Sequence, residues 1–574
     1  MAWRIANLIR KKGANPENIL AVTFTNKAAA ELKNRVHVLL KNCGDNSSPR
    51  IMTFHALGYS ILREHSGEIG LEKGFFILDE SDKRTVICDV AGCKRSSAAR
   101  LSNQITEWKQ TLARPDDDDE SPDEEKRDLF LGYEQALTEI NAVDLDDLLY
   151  KTALLFRNHS EILQKYRDRF QWMLIDEYQD INYPQYTLTR QLKPEEDANL
   201  CVIGDPNQAI YGFRGSDIRF IRNFLDDYAG ALVFRLKKSY RCSRNILQAS
   251  ESVICGDGYH SSPLEGVKKG VKIRITENPS EKSEAEFVAR TIERMIGGTA
   301  FFSMDSDISS GEESEEIASL SDFAVLFRIN RQMNPLCEAF DNHRIPYQKI
   351  GEKAFFSHKH VKSVLDLLKF IFNPGNRFLK KVLLKKKIIT EIDLPSLRPP
   401  VSGRPVHDVI EEIIEQYFPS RNDKISEELE KLLELAEDFG SDMRSFLEYI
   451  CLGSGQDAYR SDMESVPFMT LHAAKGLEFK CVFIIGCENG IIPYRLHKHK
   501  KTDIEEEKRL LYVGMTRAKK YLVISHARRR SLLGRRHRLM RSPFLDHIEK
   551  ELIETGKIKS RKKKSKDDPQ LTLF

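Results

Sequence analysis

The chain has 574 residues, of which 41% are hydrophobic and 30% are charged, and its formal net charge is +3. This length predicts several globular domains with sizeable cores, and the composition agrees with a globular enzyme. The ten cysteines lack the short paired spacing of a disulfide framework or zinc site, which predicts reduced thiols, and no apolar run is long enough for a membrane span.

The first part of the chain predicts helices and short strands. Residues 1–10 form an amphipathic helical pattern, and apolar runs lead into the motifs AVTFTNKAA at 21–29 and TFHALG at 53–58. Residues 80–155 predict a mostly helical insertion. The acidic run at 115–125 within it, like the one at 306–316, cannot bury apolar area and is expected to be an exposed loop.

The motif MLIDEYQD at residues 173–180 places two carboxylates directly after an apolar strand. Taken alone, such a pair most often caps a helix or faces solvent. In a nucleotide-hydrolysing sheet, however, Asp176 would hold the Mg²⁺ that bridges the ATP phosphates, and Glu177 would orient and deprotonate the attacking water.

A second apolar strand runs into a polar loop at residues 200–215, LCVIGDPNQAIYGFRG. The amide of Gln208 can donate and accept, so it can respond to a γ-phosphate or to water. Tyr211 and Phe213 stand beside Arg214, and aromatic rings next to a cation are what single-stranded nucleic acid needs for base stacking.

The rest of the chain alternates apolar strands with amphipathic helices, which predicts parallel sheets covered by helices. Strands are expected at 271–275 and 323–327, each followed by a helix, and residues 355–460 are expected to be mostly helical. Basic clusters at 526–530, 535–538 and 559–566 are expected to form a solvated tail that contacts phosphates or directs nuclear import.

These motifs, in this order, resemble those of the UvrD/Rep-type superfamily 1 DNA helicases. The further motifs that carry the resemblance are KSYRCS at 238–243, LFRIN at 326–330, TLHAAKGLEF at 470–479 and LYVGMTRAK at 511–519. The resemblance implies an α/β fold with two RecA-like parallel-sheet motor domains and mostly helical insertions.

The resemblance also implies domain boundaries. The first motor domain is expected at 1–234 and the second at 235–354 and 466–550, with a short helical insertion at 355–465 and a basic flexible tail at 551–574.

Roles for individual residues follow from the resemblance. Arg241 and Arg517 would act as arginine fingers on the γ-phosphate, Tyr240 would stack on adenine, and Glu478 would bind the ribose, although arginines usually lie at the surface. The residues expected along the DNA strand are Phe24, Asn26, His55, Phe213 and Arg214. His472 is expected near the path that couples the nucleotide site to the DNA.

The sequence departs from the family pattern at its start. The 574 residues contain no Gly-rich loop ending in Gly-Lys-Ser/Thr, whose backbone N–H groups and lysine would hold the ATP phosphates. Residues 1–10 resemble the helix that follows this loop. The chain is therefore interpreted as an N-terminally incomplete helicase, in preference to a protein that evolved to work without the loop.

Two function classes remain open. The first is an ATP- and Mg²⁺-dependent 3′-to-5′ DNA helicase or translocase that acts on single strands and single-strand/duplex junctions in repair or recombination. The second is a catalytically inactive single-strand-binding remnant. A nuclear location is expected, and Gln570 to Phe574 resembles a short sliding-clamp-binding peptide, although a frayed terminus fits this segment better.

Overall fold

The computed structural model describes residues 1–41, 48–113, 124–254, 264–296, 317–351, 355–390, 403–419, 423–452, 459–460, 463–495, 502–532 and 535–557. Most of the first acidic run, all of the second, the last basic cluster and the clamp-like peptide lie outside these residues. The chain divides into two compact units. Unit 1 comprises Met1–Pro206, Tyr211–Ala231 and Lys353–Asp457, and unit 2 comprises Asn207–Ile210, Leu232–Glu352 and Ala458–Phe574.

The elements up to Asp227 alternate strands and helices. They are α1 (Ala2–Lys12), β1 (Ile19–Thr23), α2 (Asn26–Leu40), β2 (Arg50–Thr53), α3 (Phe54–Glu64), β3 (Phe76–Leu78), α4 (Glu80–Ala91), α5 (Arg95–Thr111), α6 (Glu124–Glu139), β4 (Ala142–Asp144), α7 (Asp147–Asn158), α8 (Ser160–Arg169), β5 (Trp172–Ile175), α9 (Tyr183–Leu192), β6 (Leu200–Val202), α10 (Arg219–Arg222) and α11 (Phe224–Asp227).

The elements after Asp227 continue the alternation and include a purely helical run. They are β7 (Lys238–Ser239), α12 (Arg244–Ile254), β8 (Glu265–Gly266), β9 (Ile273–Asn278), α13 (Glu281–Ile296), β10 (Phe323–Phe327), α14 (Met333–His343), β11 (Tyr347–Lys349), α15 (Lys359–Phe372), α16 (Arg377–Lys385), α17 (Val406–Tyr417), α18 (Asp423–Glu437), α19 (Met443–Leu452), β12 (Val466–Thr470), β13 (Phe479–Ile484), α20 (Ile504–Met515), β14 (Ala518–Ala527), β15 (Arg529–Leu532), β16 (Arg535–Arg538) and β17 (Ile553–Lys557).

Unit 1 is built on a four-stranded parallel sheet in the order β2-β1-β5-β6. All five residues of β1 are buried, as expected for a parallel strand covered on both faces. Leu20 and Val22 pack with α3, α7, α8 and α9, whereas Ile19 and Ala21 pack with α1 and α2. The alternating side chains of one strand therefore fill two separate cores.

The helical insertion at 80–155 shares a hydrophobic core with the second helical run. Val86 and Phe130 from the insertion lie in the same buried cluster as Leu368 and Phe446, which are far away in the chain. Residues 353–457 therefore belong to unit 1. The helices predicted in this region are confirmed by α15 and α18.

A buried ionic cluster supports the base of this insertion. Lys109 is 0% exposed, and its Nζ lies 2.7 Å from Asp147 Oδ1, 2.8 Å from Glu134 Oε1 and 3.1 Å from Asp144 Oδ2. Lys151 also pairs with Glu134. Burial lowers the pKa of the Lys109 amine, but the surrounding carboxylates more than offset this, so the pKa lies well above its usual value.

Unit 2 contains a seven-stranded parallel sheet in the order β11-β12-β10-β13-β14-β9-β17. The strands predicted at 271–275 and 323–327, and the helices after them, are confirmed by β9, α13, β10 and α14. Parallel sheets in both units thus confirm the predicted α/β fold class.

The basic residues 526–530 are not a solvated tail, and this prediction is corrected. His526 lies in the buried part of β14, and Arg530 in β15 is 3% exposed. The next basic cluster forms β16, which pairs with β15 as an antiparallel hairpin. Likewise Ile553–Lys557 is an edge strand of the large sheet rather than flexible chain.

Arg530 is buried because two carboxylates hold it. Its Nη2 pairs with Glu284 and lies 2.8 Å from Glu488 Oε1, and all three residues are at most 3% exposed. Burial raises the pKa of Glu488, Arg530 opposes this and Glu284 reinforces it, so that the pKa lies at about 6. The triad ties α13, the segment after β13, and β15 together inside unit 2.

This triad predicts a pH dependence of stability. A carboxyl group whose pKa is raised in the folded state stabilises the fold fully below its unfolded pKa of about 4.3, and that contribution is lost as pH rises through the folded value. As pH rises from about 4 to about 7, a range that spans both values, the free energy of unfolding should therefore fall more for the wild type than for Glu488→Gln. Denaturant titrations across this range, with exposed Glu68→Gln as control, measure it. If the difference in the free energy of unfolding between the wild type and Glu488→Gln did not change with pH, the raised pKa of Glu488 would be contradicted.

None of the helices in the described part of the chain combines the length and apolarity that a membrane crossing requires.

Candidate functional site

The carboxyl ends of the four strands in unit 1 bring several predicted residues to one edge of the sheet. The register aligns Thr23 with Thr53, and Val22 with Ile175, which in turn lies opposite Val202. In parallel α/β sheets this edge is where ligands bind. The chain leaves it through four segments that begin at Phe24, Phe54, Asp176 and Ile203.

The predicted metal ligand and base occupy the turn after β5. The Asp176 N–H donates to the Val22 carbonyl at 2.9 Å, which fixes this turn against the end of β1. Glu177 has a φ of 54°, an uncommon value for a residue with a side chain, and it starts a short 3₁₀ turn at Tyr178. Such strain marks functional sites when the surrounding structure maintains it.

Gln179 links this turn to the next loop, and sequence reasoning did not identify it. It is fully buried, its Nε2 donates to Glu177 Oε2 at 2.5 Å, and its Oε1 accepts from the Asp205 N–H at 3.0 Å. A Cβ added at Gly204 would lie 2.6 Å from Gln179 Oε1, so a larger residue there would displace the Gln179 amide. Gln179 thereby orients Glu177. The only signal in the sequence was its position two residues after the carboxylate pair.

An aromatic platform lies at the same edge of unit 1. The rings of Phe24 and Tyr211 stack with centroids 4.9 Å apart, and Phe213 lies 6.1 Å from Tyr211. The Arg214 guanidinium lies 5.6 Å from the centroids of both Tyr211 and Phe213. Tyr211 is buried, whereas Phe213 is 54% exposed, so part of its side chain is accessible to a ligand.

His55 and Asn26 follow the neighbouring strands. His55 is the second residue of α3, and burial lowers the pKa of its imidazole, with the Arg214 charge acting in the same direction and Asp146 opposing it. His55 is therefore neutral near pH 7 and can accept a hydrogen bond. Asn26 begins α2, whose N-cap is the Thr25 side chain, which accepts from the Ala28 N–H at 3.1 Å.

Gln208 belongs to a short segment, Asn207–Ile210, that is part of unit 2. Lys475 Nζ donates to the Gln208 carbonyl at 2.7 Å, and Arg509 Nε donates to the Ala209 carbonyl at 2.8 Å. Both donors are nearly buried. Two cations thus fix the backbone of this segment.

The predicted nucleotide-binding residues of unit 2 lie at the amino ends of its strands. Phe479 pairs with Ala518, so Glu478 and Arg517, which precede them, are neighbours across the sheet. Glu478 accepts from Arg241 Nε at 2.7 Å and pairs with Lys519 at 2.7 Å. Burial raises the pKa of Glu478, but the two cations more than offset it and hold the carboxyl below its ordinary value.

The two predicted arginine fingers differ in environment. Arg241 is partly exposed beside Glu478, whereas Arg517 is 1% exposed and therefore is not a surface arginine. Arg517 Nε donates to the Val513 carbonyl at 2.9 Å, and its Nη1 donates to the Leu477 carbonyl at 3.3 Å. Tyr240, next to Arg241, is 74% exposed, so its ring face is free to stack on a planar ligand.

His472 lies apart from this group. It follows β12 by two residues, in the turn that begins at Leu471, and therefore lies near the carboxyl ends of the unit 2 strands. The structure thus brings Tyr240, Arg241, Glu478 and Arg517 to one end of the sheet and His472 to the other. Arg328, at the end of β10, is instead held by Glu507, with Nη2 2.7 Å from its carboxylate.

Two family models match the sequence. The UvrD/REP helicase N-terminal domain matches residues 1–229, and the UvrD-like helicase C-terminal domain matches residues 234–397 and 406–529. The chain belongs to the UvrD/Rep helicase family.

Its similarity to individual UvrD/Rep helicases extends over nearly the whole chain. It is 31% identical to the ATP-dependent DNA helicase PcrA of Staphylococcus aureus (strain Mu50), across 96% of this chain and 83% of the relative. It is 32% identical to PcrA of Staphylococcus epidermidis (strain RP62A), across 97% and 83%. A crystal structure of the C-terminal domain of a possible DNA helicase from Lactobacillus plantarum covers 55% of this chain and 98% of its own, at 11% identity and a TM-score of 0.24, which is too low to support a conclusion.

As a UvrD/Rep helicase the protein is an ATP-dependent DNA helicase by family, with ATP and DNA as the implied ligands. The residues present fit part of the nucleotide. Within the described residues there is no cluster of three or more His, Cys, Asp or Glu side chains that could hold a metal by themselves.

The phosphates themselves lack their expected partner in this sequence. No Gly-Lys-Ser/Thr loop occurs in the 574 residues, so the backbone N–H groups and lysine that would hold them are absent from it. Within unit 1, the carboxylates of Asp176 and Glu177 have the chemistry to hold a metal ion and a water, and within unit 2, Tyr240 and Arg241 have the chemistry to contact a base and a phosphate.

Proposed function

We propose that the protein is a 3′-to-5′ translocase on single-stranded DNA that acts at single-strand/duplex junctions in repair or recombination, in the nucleus. The observation that carries the DNA part is the platform of Phe24, Tyr211, Phe213 and Arg214 at the carboxyl edge of unit 1. Stacked rings with an adjacent guanidinium bind bases without reading their sequence, as a motor that moves along DNA requires.

The nucleotide part of the proposal rests on two sets of residues. Asp176 and Glu177 carry the metal and water chemistry in unit 1, with Gln179 as a positioning residue for Glu177. Tyr240, Arg241, Glu478 and Arg517 provide stacking, charge and ribose contacts in unit 2. When bound, ATP with Mg²⁺ supplies the phosphoryl group whose transfer to water drives movement.

A second function is favoured by the missing phosphate loop. The 574-residue chain would then bind single-stranded DNA without hydrolysing ATP, because phosphoryl transfer depends on positioned donors and charge. We propose this state for the 574-residue chain and the motor function for a form that also carries the loop. Clamp binding through Gln570 to Phe574 remains a further proposal, as does nuclear import through the basic residues 559–566.

The platform predicts the effect of a single substitution on DNA binding. Phe213→Ala should weaken binding of single-stranded DNA by roughly 1–3 kcal/mol, similarly for different base sequences, because it removes one stacking surface. Fluorescence anisotropy with oligo(dT) and a mixed-sequence oligonucleotide measures the change. Phe213→Trp is the matched control and should keep near-parental affinity. Parental affinity in Phe213→Ala would exclude the stacking role.

A further inference from the structure

A cavity of about 300 Å³ lies within unit 1, away from the residues discussed so far. Its walls come from α3, the segment before β3, the end of α15, the start of α16, and α19. The volume is at the lower end of the range for small-molecule sites, which suits a ligand the size of one nucleotide.

One side of the cavity is aromatic. Tyr59 and Phe75 line it and form an edge-to-face pair with centroids 5.7 Å apart. Phe372 also lines it and is 44% exposed, so this ring is only partly packed into the hydrophobic core. Partly open aromatic rings around a cavity favour a flat, apolar group such as a nucleobase.

The cavity is also strongly cationic. Lys73, Lys369 and Arg444 line it, and none of the three forms a salt bridge with any residue that the structure describes. Arg63 also lines it, but its Nη1 lies 2.9 Å from Glu448 Oε1. Four cations against one carboxylate leave an excess of positive charge that favours an anion.

Asn376 adds a hydrogen-bond donor. It is 5% exposed, and its Oδ1 accepts from the Leu379 N–H at 2.9 Å as the N-cap of α16. Its Nδ2 has no hydrogen-bond partner among the described residues. Leaving a buried donor without an acceptor costs about 1–3 kcal/mol, so an oxygen of a ligand in this cavity would remove the cost.

The helix α3 carries both a residue of the predicted DNA path and two residues of the cavity lining. His55, Tyr59 and Arg63 are spaced four residues apart and therefore lie on one face of this helix. Four helical residues rise about 6 Å, which is close to the spacing of successive nucleotides in an extended strand. A strand that contacts His55 can thus continue toward Tyr59 and Arg63.

We propose that this cavity binds a single nucleotide, with its base against Tyr59, Phe75 and Phe372 and its phosphate near Lys73, Lys369 and Arg444. This deepens the proposed DNA-binding function and rests on it where the nucleotide is part of a DNA strand. A free nucleotide has the same chemistry, and the experiment distinguishes the two sources.

The test is photo-crosslinking of the full chain with peptide mapping. One probe is an oligonucleotide that contains 4-thiothymidine, and the other is free 4-thiothymidine monophosphate. Crosslinks are expected in the peptides that carry Tyr59, Phe75 or Phe372. Phe372→Ala and Arg444→Glu should each reduce the cavity crosslinks at least about 5-fold, the lower bound for loss of one stacking contact, while Lys33→Glu, an exposed charge change on α2, should leave them unchanged.

Glu448→Gln provides a test of opposite sign. Removing the only carboxylate of the lining should strengthen binding of a phosphate-bearing probe, whereas it would weaken binding of a cation. Crosslinks from the oligonucleotide alone would assign a nucleotide of the DNA strand, and crosslinks from the monophosphate would assign a free nucleotide.

The outcomes separate this inference from the proposed function. Crosslinks at the platform around Phe213 without any in the cavity, from either probe, would overturn the inference and leave the DNA-binding function intact. If the oligonucleotide gave no crosslinks anywhere in the protein, the DNA-binding function would be contradicted. Crosslinks from the monophosphate would then show whether the cavity binds a free nucleotide. Cavity crosslinks that Phe372→Ala and Arg444→Glu do not change would also overturn the inference.

Discussion

In a form of the protein that carries the Gly-Lys-Thr loop, Glu177→Gln should lower ATP turnover by about 10²- to 10⁴-fold, the usual contribution of a general base. The glutamine keeps the shape of the side chain but cannot take a proton from water. Gln179 Nε2 still has an oxygen to donate to at this position, so the turn should be preserved. Phosphate release in the presence of DNA measures turnover, and a fluorescent ATP analogue measures binding.

The matched control is Glu68→Gln, which alters an exposed carboxylate in the same unit. This control should change neither ATP turnover nor ATP binding. Near-normal turnover in Glu177→Gln would show that the base lies elsewhere, whereas lost ATP binding would show that the substitution acts through the turn and not through proton transfer.

Lys109→Met should destabilise unit 1 by about 3–5 kcal/mol, the cost of removing one partner from a buried ion pair. Methionine has a similar length, but three carboxylates that lie within 3.1 Å of the amine would lose their common counter-ion. Denaturant unfolding monitored by circular dichroism measures the loss. Lys33→Met, at an exposed position, should change stability by no more than about 0.5 kcal/mol.

A second substitution tests the cause. Asp147→Asn added to Lys109→Met should restore part of the lost stability, because it removes one of the carboxylates left without a counter-ion. Burial, together with the neighbouring charge of Asp144, raises the pKa of Asp147 to about 7, so this carboxyl is already the one that gives up its charge most easily. A loss below about 1 kcal/mol in Lys109→Met would mean that water, not Lys109, compensates the carboxylates.

The sequence was sufficient to predict residues that depend on local pattern. Asp176 and Glu177 follow an apolar run, and such a run in an α/β chain forms a buried parallel strand whose carboxyl end faces the ligand edge. The same holds for Phe24 after β1. An apolar run and the residues directly after it are close together in the sequence. Both the parallel strand and the position of these residues at its carboxyl end can therefore be predicted from the local pattern.

Contacts between distant residues were not predictable in this way. In the sequence, Arg530 looks like one more residue of a basic cluster. Only its pairing with Glu284 and Glu488 in the structure explains why it is buried. Within β15, exposed and buried positions alternate, so a strand interpretation of residues 529–532 would have placed Arg530 and Leu532 on the same inner face. Lys109 and its carboxylates pose the same difficulty, since composition alone assigns lysine to the surface.

The helical regions show a related limit. The insertion at 80–155 and the helices after residue 355 were predicted separately from their periodicity, yet they fill one core. Amphipathic spacing shows that a helix has an apolar face, but it does not show which element covers that face. The cavity next to α3 exists because residues 59–77 meet helices that follow residue 355, and no local pattern indicated it.

The most direct measurement is ATP hydrolysis, with and without single-stranded DNA, by the 574-residue chain and by a form extended upstream to include a Gly-Lys-Thr loop. Both forms should bind DNA, since the platform around Phe213 is present in each. The extended form should hydrolyse ATP faster when DNA is added, and the 574-residue chain should show no DNA-stimulated hydrolysis. Robust DNA-stimulated hydrolysis by the 574-residue chain, or none by the extended form, would contradict the account.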